Sequence, residues 1–148
     1  MVQKKYLEKL RMDMCGSVLE ANDPGYDQSI VIDNGRIDLR PGVVAMCINP
    51  QDVATAYKFA IEHEMPFTVR GGGHSAAGYC LNQGGMVIDI TNMTAKRLDL
   101  KRQVLWTETG NRWRDASRRL QLAVGTTGAA FARSAPRRTS PPNGSIFE

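Results

Sequence analysis

The spacing of apolar residues predicts a short amphipathic helix at the start of the chain. Within residues 3–14, Leu7, Leu10 and Met14 follow one another at intervals of three and four. Such intervals place side chains on one face of a helix. Residues 21–42 lack this periodicity and contain Asp-Pro-Gly, Asn-Gly and Pro-Gly turns, so we expect them to be irregular.

The clearest helix of the chain begins after residue 49. Asn49 can cap it, Pro50 suits its first position, and Asp52 favours the positive end of the helix dipole. The predicted apolar face of this helix consists of Val53, Ala56, Tyr57, Ala60 and Ile61.

Apolar runs on both sides of this helix predict strands. Three such runs occur, at residues 43–48, 67–69 and 86–90, and residues 97–100 and 104–109 can pair as a hairpin before a final helix. The order strand, helix, strand, loop, strands and helix indicates an α+β domain.

Length and charge narrow the class of protein. A chain of 148 residues that is 42% hydrophobic is enough for one domain with a core. Residues 1–110 hold 12 Lys or Arg against 13 Asp or Glu, whereas residues 111–148 hold 7 Arg against 2 acidic residues. A surplus of this kind, without interleaved aromatic residues, does not indicate nucleic-acid binding.

Neither a membrane span nor a metal site is indicated. No apolar run approaches the roughly 18 to 20 residues that span a bilayer, and the first residues alternate charged and apolar side chains, unlike a signal peptide. We therefore expect a soluble, cytoplasmic protein. Cys15, Cys47 and Cys80 form no Cys-x-x-Cys pair, so we expect each to be a buried small side chain.

A glycine-rich segment, VRGGGHSAAGYC at residues 69–80, carries the candidate chemistry. Consecutive glycines in ordered structure need a backbone reason, and one reason is a loop whose N–H groups bind phosphate. The dinucleotide pattern GxGxxG/A is formally met by Gly71, Gly73 and Ala76, with Asp89 near the position of a ribose ligand. That fold requires a helix to start in the loop, and the glycines and asparagine that follow argue against one.

The run PFTVRGGGHSAAGYCLNQGGMVIDITNM resembles the flavin-attachment segment of FAD-linked oxidases. The resemblance is to the vanillyl-alcohol oxidase and p-cresol methylhydroxylase type, in particular the berberine-bridge-enzyme-like branch, and it extends over about residues 26–125. It implies the N-terminal part of a PCMH-type FAD-binding domain, FAD as cofactor, and a small alcohol or amine as substrate. It also implies that His74 bonds covalently to the flavin 8α-methyl carbon. The implied cofactor-binding residues are Arg70, Gly71, Gly72, Gly73, His74, Ser75 and Gly78.

The resemblance divides the chain into residues 1–25, a helix and linker; residues 26–125, a partial FAD-binding domain; and residues 126–148, an irregular basic tail. In the family the substrate domain and the catalytic residues follow the part that matches. We therefore expect a truncated domain, assign no catalytic residue, and leave open whether the chain alone is an enzyme and whether its tail is native or the product of a frameshift.

Several alternatives remain at this stage. The chain could instead be a non-catalytic α+β binding module that uses the loop for a phosphate-bearing ligand. His74 could be a hydrogen-bonded loop residue, and Arg70 could pair with a phosphate or with a neighbouring carboxylate. His63 is expected to be solvated at a helix end, Cys80 to be structural, and Gly110 to form a tight turn.

Overall fold

The computed structural model describes residues 4–102, 104–112 and 114–118, which belong to two compact units. The first unit is formed by Met1–Ala95 and Glu108–Arg112, and the second by Lys96–Thr107 and Trp113–Glu148. The predicted irregular segment 126–148 lies outside the described residues.

The first unit contains three helices and four strands. In chain order they are α1 (Lys4–Asp13), β1 (Ser17–Leu19), α2 (Tyr26–Ser29), β2 (Val43–Met46), α3 (Pro50–Glu62), β3 (Phe67–Arg70) and β4 (Met86–Asp89). The predicted first helix, the predicted main helix and the three predicted strands are confirmed. The short elements β1 and α2 were not predicted, because three residues and one helical turn are too short to show a period.

The strands of this unit form one sheet in the order β1-β2-β4-β3. Strand β1 is antiparallel to β2, while β4 is parallel to both of its neighbours. Every residue of the central strand β4 is buried, as expected for a parallel strand that is covered on both faces. The edge strand β3 is only partly buried, and its Val69 is 52% exposed.

Alternating residues of β2 and β4 contribute to two cores. The larger core joins side chains of α1, α3 and the sheet, among them Leu10, Phe59 and Ile88. The smaller core includes Tyr26, Val44, Cys80, Leu81 and Val87. Successive side chains of a strand point to opposite faces, so the two cores lie on the two faces of the sheet.

The start of α3 is as predicted, but its buried face is not. Asn49 Oδ1 accepts the N–H of Asp52 at 2.8 Å, which confirms the cap. Phe59 is buried between Ala56 and Ala60, whereas Tyr57 and Ile61 are 49% and 55% exposed. The predicted face was therefore wrong for two of its five members, because packing against α1 selects the side of the helix that carries Phe59.

The Asp52 carboxylate joins the start of α3 to the chain before β1. Its Oδ1 accepts the N–H of Cys15 at 2.8 Å, and its Oδ2 accepts those of Gly16 and Ile48, both at 3.0 Å. The residue itself is 1% exposed. The sequence indicated only an interaction with the helix dipole, so this bridging role is new.

The second unit contains an antiparallel hairpin of β5 (Lys96–Asp99) and β6 (Val104–Thr107). This pairing confirms the predicted hairpin, and residues 114–118 are helical. Across the described parts of both units, no helix is long and apolar enough to cross a membrane.

Candidate functional site

The glycine loop, residues 71–85, connects the carboxyl end of β3 to the start of β4. No helix begins anywhere in this fully described loop. The Rossmann-type dinucleotide fold is therefore excluded, as the sequence suggested. Asp89 is also unavailable as a ribose ligand because it is completely buried at the end of β4. In open parallel sheets, ligands commonly bind beyond the carboxyl ends of the strands, which is where this loop begins.

Several glycines of the loop are required by the fold itself, among them the two that flank the segment 74–77. Gly73 and Gly78 have φ angles of 74° and 73°, a region that other residues adopt at a cost. A Cβ at Gly78 would also lie 2.6 Å from Ile37 Cδ1. Gly71 and Gly72 begin the loop and lack a positive φ, so their backbone conformation does not require glycine. A Cβ on Gly71 would meet nothing within 4 Å, so the fold does not need glycine there.

In the first part of the loop, residues 71–77, several carbonyl groups are hydrogen-bonded, whereas the N–H groups have no acceptor among the described residues. The carbonyls of residues 71, 73 and 76 accept hydrogen bonds from outside the loop, and those of residues 75 and 78 accept the N–H groups of Gly78 and Leu81 within it. The N–H groups of residues 71–77 donate to no acceptor among the described residues. A run of free backbone donors on a loop is the arrangement that binds phosphate oxygens. The residues present therefore fit the diphosphate of a nucleotide cofactor.

Arg70 forms an ion pair with the buried carboxylate of Asp89 rather than projecting freely. Its Nη1 donates to Asp89 Oδ2, and its Nη2 donates to Val31 O at 2.7 Å. Asp89 Oδ1 in turn accepts the N–H of Thr91 at 2.8 Å. Of the two pairings that the sequence left open, the structure shows the one with a carboxylate. Arg70 Nε is buried and has no hydrogen-bond partner among the described residues.

His74 is an exposed nucleophilic side chain of the loop. Its side chain is 74% exposed, and its Nε2 lies 3.6 Å from Asp33 Oδ2. The ring occupies the space that a Cβ on Gly72 would fill, since that atom would be 2.4 Å from His74 Nδ1. Ser75 Oγ accepts the N–H of Tyr79 at 3.1 Å and so helps to shape the turn that follows.

The segment 31–34 was missed by sequence reasoning as part of the site. Three hydrogen bonds join it to the loop and its flank: Arg70 Nη2 to Val31 O (2.7 Å), Asp33 N to Gly73 O (3.2 Å) and Asn34 Nδ2 to Ala76 O (2.7 Å). Asp and Asn often bond to backbone groups in irregular segments, which is the only signal that the sequence offered. We refer to residues 31–34 as the clasp segment.

The remaining candidate residues have structural surroundings. The rings of Tyr6 and Phe59 lie 4.6 Å and 4.4 Å from that of His63, which is half-buried rather than solvated as expected. Cys47 and Cys80 are buried as predicted, but Cys15 is exposed. Burial raises the pKa of the Cys47 thiol to about 12, and the nearby Asp52 and Asp89 charges add to the effect. Within the described ranges, no cluster of side chains could hold a metal ion.

Gly110 forms the expected close turn. Its N–H donates to Met93 O at 2.9 Å. A Cβ at this position would lie within 2.4 to 2.7 Å of three backbone carbonyl oxygens, those of Ile90, Thr91 and Met93. Only glycine fits there, and the reason is packing of the chain against itself.

Comparison with known proteins identifies the class. Residues 41–136 match the family described as FAD binding domain, and the chain belongs to that family. FAD is therefore the cofactor of its class, as the resemblance implied. The match begins and ends at positions other than the predicted boundaries at 26 and 125, which stay predictions.

Individual relatives are similar over part of their length. The (R)-6-hydroxynicotine oxidase of Paenarthrobacter nicotinovorans is 36% identical over 84 residues, 57% of this chain and 18% of that protein. The FAD-linked oxidoreductase YgaK of Bacillus subtilis is 30% identical over 104 residues, 70% of this chain and 23% of that protein. The chain thus spans about a fifth of the length of these relatives.

Solved structures agree on the fold. BBE-like 1 from Physcomitrella patens aligns with a TM-score of 0.74 at 19% identity, over 79% of this chain and 26% of that one. The 6-hydroxy-D-nicotine oxidase from Arthrobacter nicotinovorans aligns with a TM-score of 0.56 at 35% identity, over 58% and 19% respectively. These alignments confirm the expected fold, the N-terminal part of a PCMH-type FAD-binding domain.

Proposed function

We propose that the glycine loop binds the diphosphate of FAD through the backbone N–H groups of residues 71–77. The observation that carries this proposal is that these groups lack acceptors among the described residues, while the carbonyls of residues 71, 73, 75 and 76 accept hydrogen bonds that hold the loop in place. Gly71 adds support, since the fold leaves open space where its side chain would be. A close approach of the cofactor explains a glycine that packing does not require.

Arg70 and Gly78 contribute to the same site mainly by holding the loop. The guanidinium of Arg70 is paired with Asp89, and the N–H of Gly78 donates to Ser75 O at 3.0 Å. Arg70 Nε is buried without a hydrogen-bond partner among the groups described, so the N–H of this atom is not used to hold the loop.

We assign His74 as the residue that bonds covalently to the flavin. It is exposed on the loop, and a neutral imidazole nitrogen is a nucleophile near neutral pH. The other histidine, His63, is packed between two aromatic rings on a different side of the unit. A covalent bond at His74 would hold the flavin at a fixed position relative to the loop.

The activity that follows is that of an FAD-dependent oxidoreductase, in which the flavin supplies the two-electron chemistry. Relatives named as FAD-linked oxidoreductases and as a nicotine oxidase support this class. We propose a small-molecule substrate that is oxidised at an alcohol or amine carbon. The role of the described residues is to bind and orient the cofactor, and none of them is assigned to substrate chemistry.

Titration of the purified chain with FAD tests this function. We expect FAD fluorescence to be quenched on binding, and Gly71→Ala to weaken binding at least tenfold without loss of fold, because its Cβ would enter the cofactor side of the loop. Gly35→Ala is the matched control, since Gly35 also lacks a positive φ and has nothing within 4 Å of its Cβ position but lies outside the loop. A chain that binds inorganic pyrophosphate but not FAD would instead indicate the non-catalytic phosphate-binding module.

A further inference from the structure

The clasp segment places one carboxylate beside the proposed nucleophile. The backbone N–H of Asp33 donates to Gly73 O at 3.2 Å, which fixes the position of Asp33 against the loop. Its side chain then lies with Oδ2 3.6 Å from His74 Nε2. Because the backbone bond does not involve the carboxylate, the side chain of Asp33 can be changed without releasing the segment.

The two nitrogens of His74 have different surroundings. Nε2 faces the Asp33 carboxylate, whereas the edge formed by Nδ1 and Cε1 faces the backbone of Gly72, where a Cβ would lie 2.4 Å and 2.5 Å from those atoms. A carboxylate can only accept, so a hydrogen bond between the two side chains needs the proton on Nε2. In a neutral imidazole the lone pair then resides on Nδ1.

We propose that Asp33 is a positioning residue for covalent attachment of the flavin. Its carboxylate accepts the Nε2–H of His74, which leaves Nδ1 to form the bond. This inference rests on the proposed function, and it adds a residue that orients the histidine. The distance of 3.6 Å is that of an ion-pair contact, longer than a hydrogen bond. Contacts of catalytic groups are often this long before the ligand is bound and shorten in the complex.

The chemistry balances with dioxygen as the oxidant. Nδ1 bonds to the 8α carbon, and that carbon gives up one C–H hydrogen as a proton while the electron pair of the broken bond remains on the flavin ring. The imidazole gives up its N–H proton. Dioxygen then accepts the electron pair and the two protons as hydrogen peroxide, which leaves an oxidised, histidine-linked flavin.

The charge of Asp33 matters because the ring becomes positive as Nδ1 forms its bond. A carboxylate at the opposite nitrogen stabilises that charge and can take the Nε2 proton. The attraction is weak while both side chains are exposed to water, and it grows when a bound cofactor excludes solvent. Loss of one correctly placed acid–base group commonly slows a step by roughly 10²-fold.

The first test measures acid-stable flavin formed with time after FAD is added to the full chain. We expect Asp33→Asn to slow the reaction by roughly 10²-fold, Asp33→Glu to recover much of the rate, and reversible FAD binding to change little in both. Asp38→Asn is the control, because Asp38 is an exposed carboxylate nearby in the chain. An unchanged rate in Asp33→Asn, or wild-type linkage through Nε2 in the isolated histidyl-flavin, would overturn the proposal.

The second test needs no flavin. The full chain is alkylated with iodoacetamide, the tryptic peptide that begins at Gly71 is isolated, and the two isomers of alkylated His74 are separated after hydrolysis. We expect the Nδ1 isomer to dominate in wild type and to lose that dominance in Asp33→Asn. The same isomer ratio in both proteins would contradict the role of Asp33. If FAD binds but never becomes acid-stable, the covalent part of the proposed function fails, while the isomer ratio still decides whether Asp33 orients His74.

Discussion

Replacing Gly78 by alanine should destabilise the first unit more than the same change at Gly71 or Gly84, two loop glycines with open space at the Cβ position. The φ of Gly78 is 73°, which costs an alanine about 1–2 kcal/mol. The new Cβ would also lie 2.6 Å and 2.9 Å from Ile37 Cδ1 and Cγ2, an overpacking worth about 1–3 kcal/mol. The reduced entropy of the unfolded chain offsets about 0.4–1 kcal/mol. The expected loss is therefore about 1–5 kcal/mol.

Two other glycines separate these contributions. Gly84 has a φ of 74° but nothing within 4 Å of its Cβ position, so Gly84→Ala should show backbone strain alone, about 1 kcal/mol or less. Gly71 has neither a positive φ nor a neighbour, and Gly71→Ala should change stability by less than about 0.5 kcal/mol.

The assay is urea unfolding followed by circular dichroism. The free energies of the three variants are compared where the slope of the unfolding free energy against urea concentration is the same. Equal losses for Gly78→Ala and Gly84→Ala would refute the packing against Ile37. A large loss for Gly71→Ala would refute the argument that its glycine serves a ligand rather than the fold.

Three further predictions concern the buried polar groups. Asp52→Ala should lower the free energy of unfolding by about 3–5 kcal/mol in the same assay, because it removes an acceptor shared by three backbone N–H groups. Arg70→Met should cost about 3–5 kcal/mol by leaving the Asp89 charge buried and unpaired, and Arg70→Met combined with Asp89→Leu should recover most of this loss. Cys47 should resist thiol reagents at pH 8 in the native chain, while the exposed Cys15 reacts. The free energy of unfolding should fall as pH rises above 9.0 towards 12, because the folded state holds the Cys47 proton that the unfolded state releases.

Local patterns predicted those parts of the fold that depend on neighbouring residues. The cap at Asn49, the strand that leads into the glycines and the polar hairpin each follow from a few adjacent side chains, and all three are present. The buried face of α3 could not be read in the same way. Phe59 is buried and Tyr57 exposed because α1 covers one side of the helix, a contact between distant segments.

The same distinction applies to the site. The glycines and His74 are contiguous and were identifiable as a group from the sequence. Asp33 lies about forty positions before His74 in a turn-rich segment, and hydrogen bonds between distant parts of the chain, such as Asp33 N to Gly73 O, place it there. The pairing of Arg70 with Asp89 likewise depends on the parallel register of β3 and β4, in which the two residues are opposite each other.

The central claim is that the glycine loop holds FAD and that His74 is its point of attachment. Peptide mass mapping of the FAD-loaded chain tests it most directly. We predict a flavin adduct on the tryptic peptide that begins at Gly71, its loss in His74→Ala with reversible FAD binding retained, and an unchanged adduct in His63→Ala. An adduct on His63 or Cys80, or a folded and FAD-replete chain with no adduct on that peptide, would contradict the assignment.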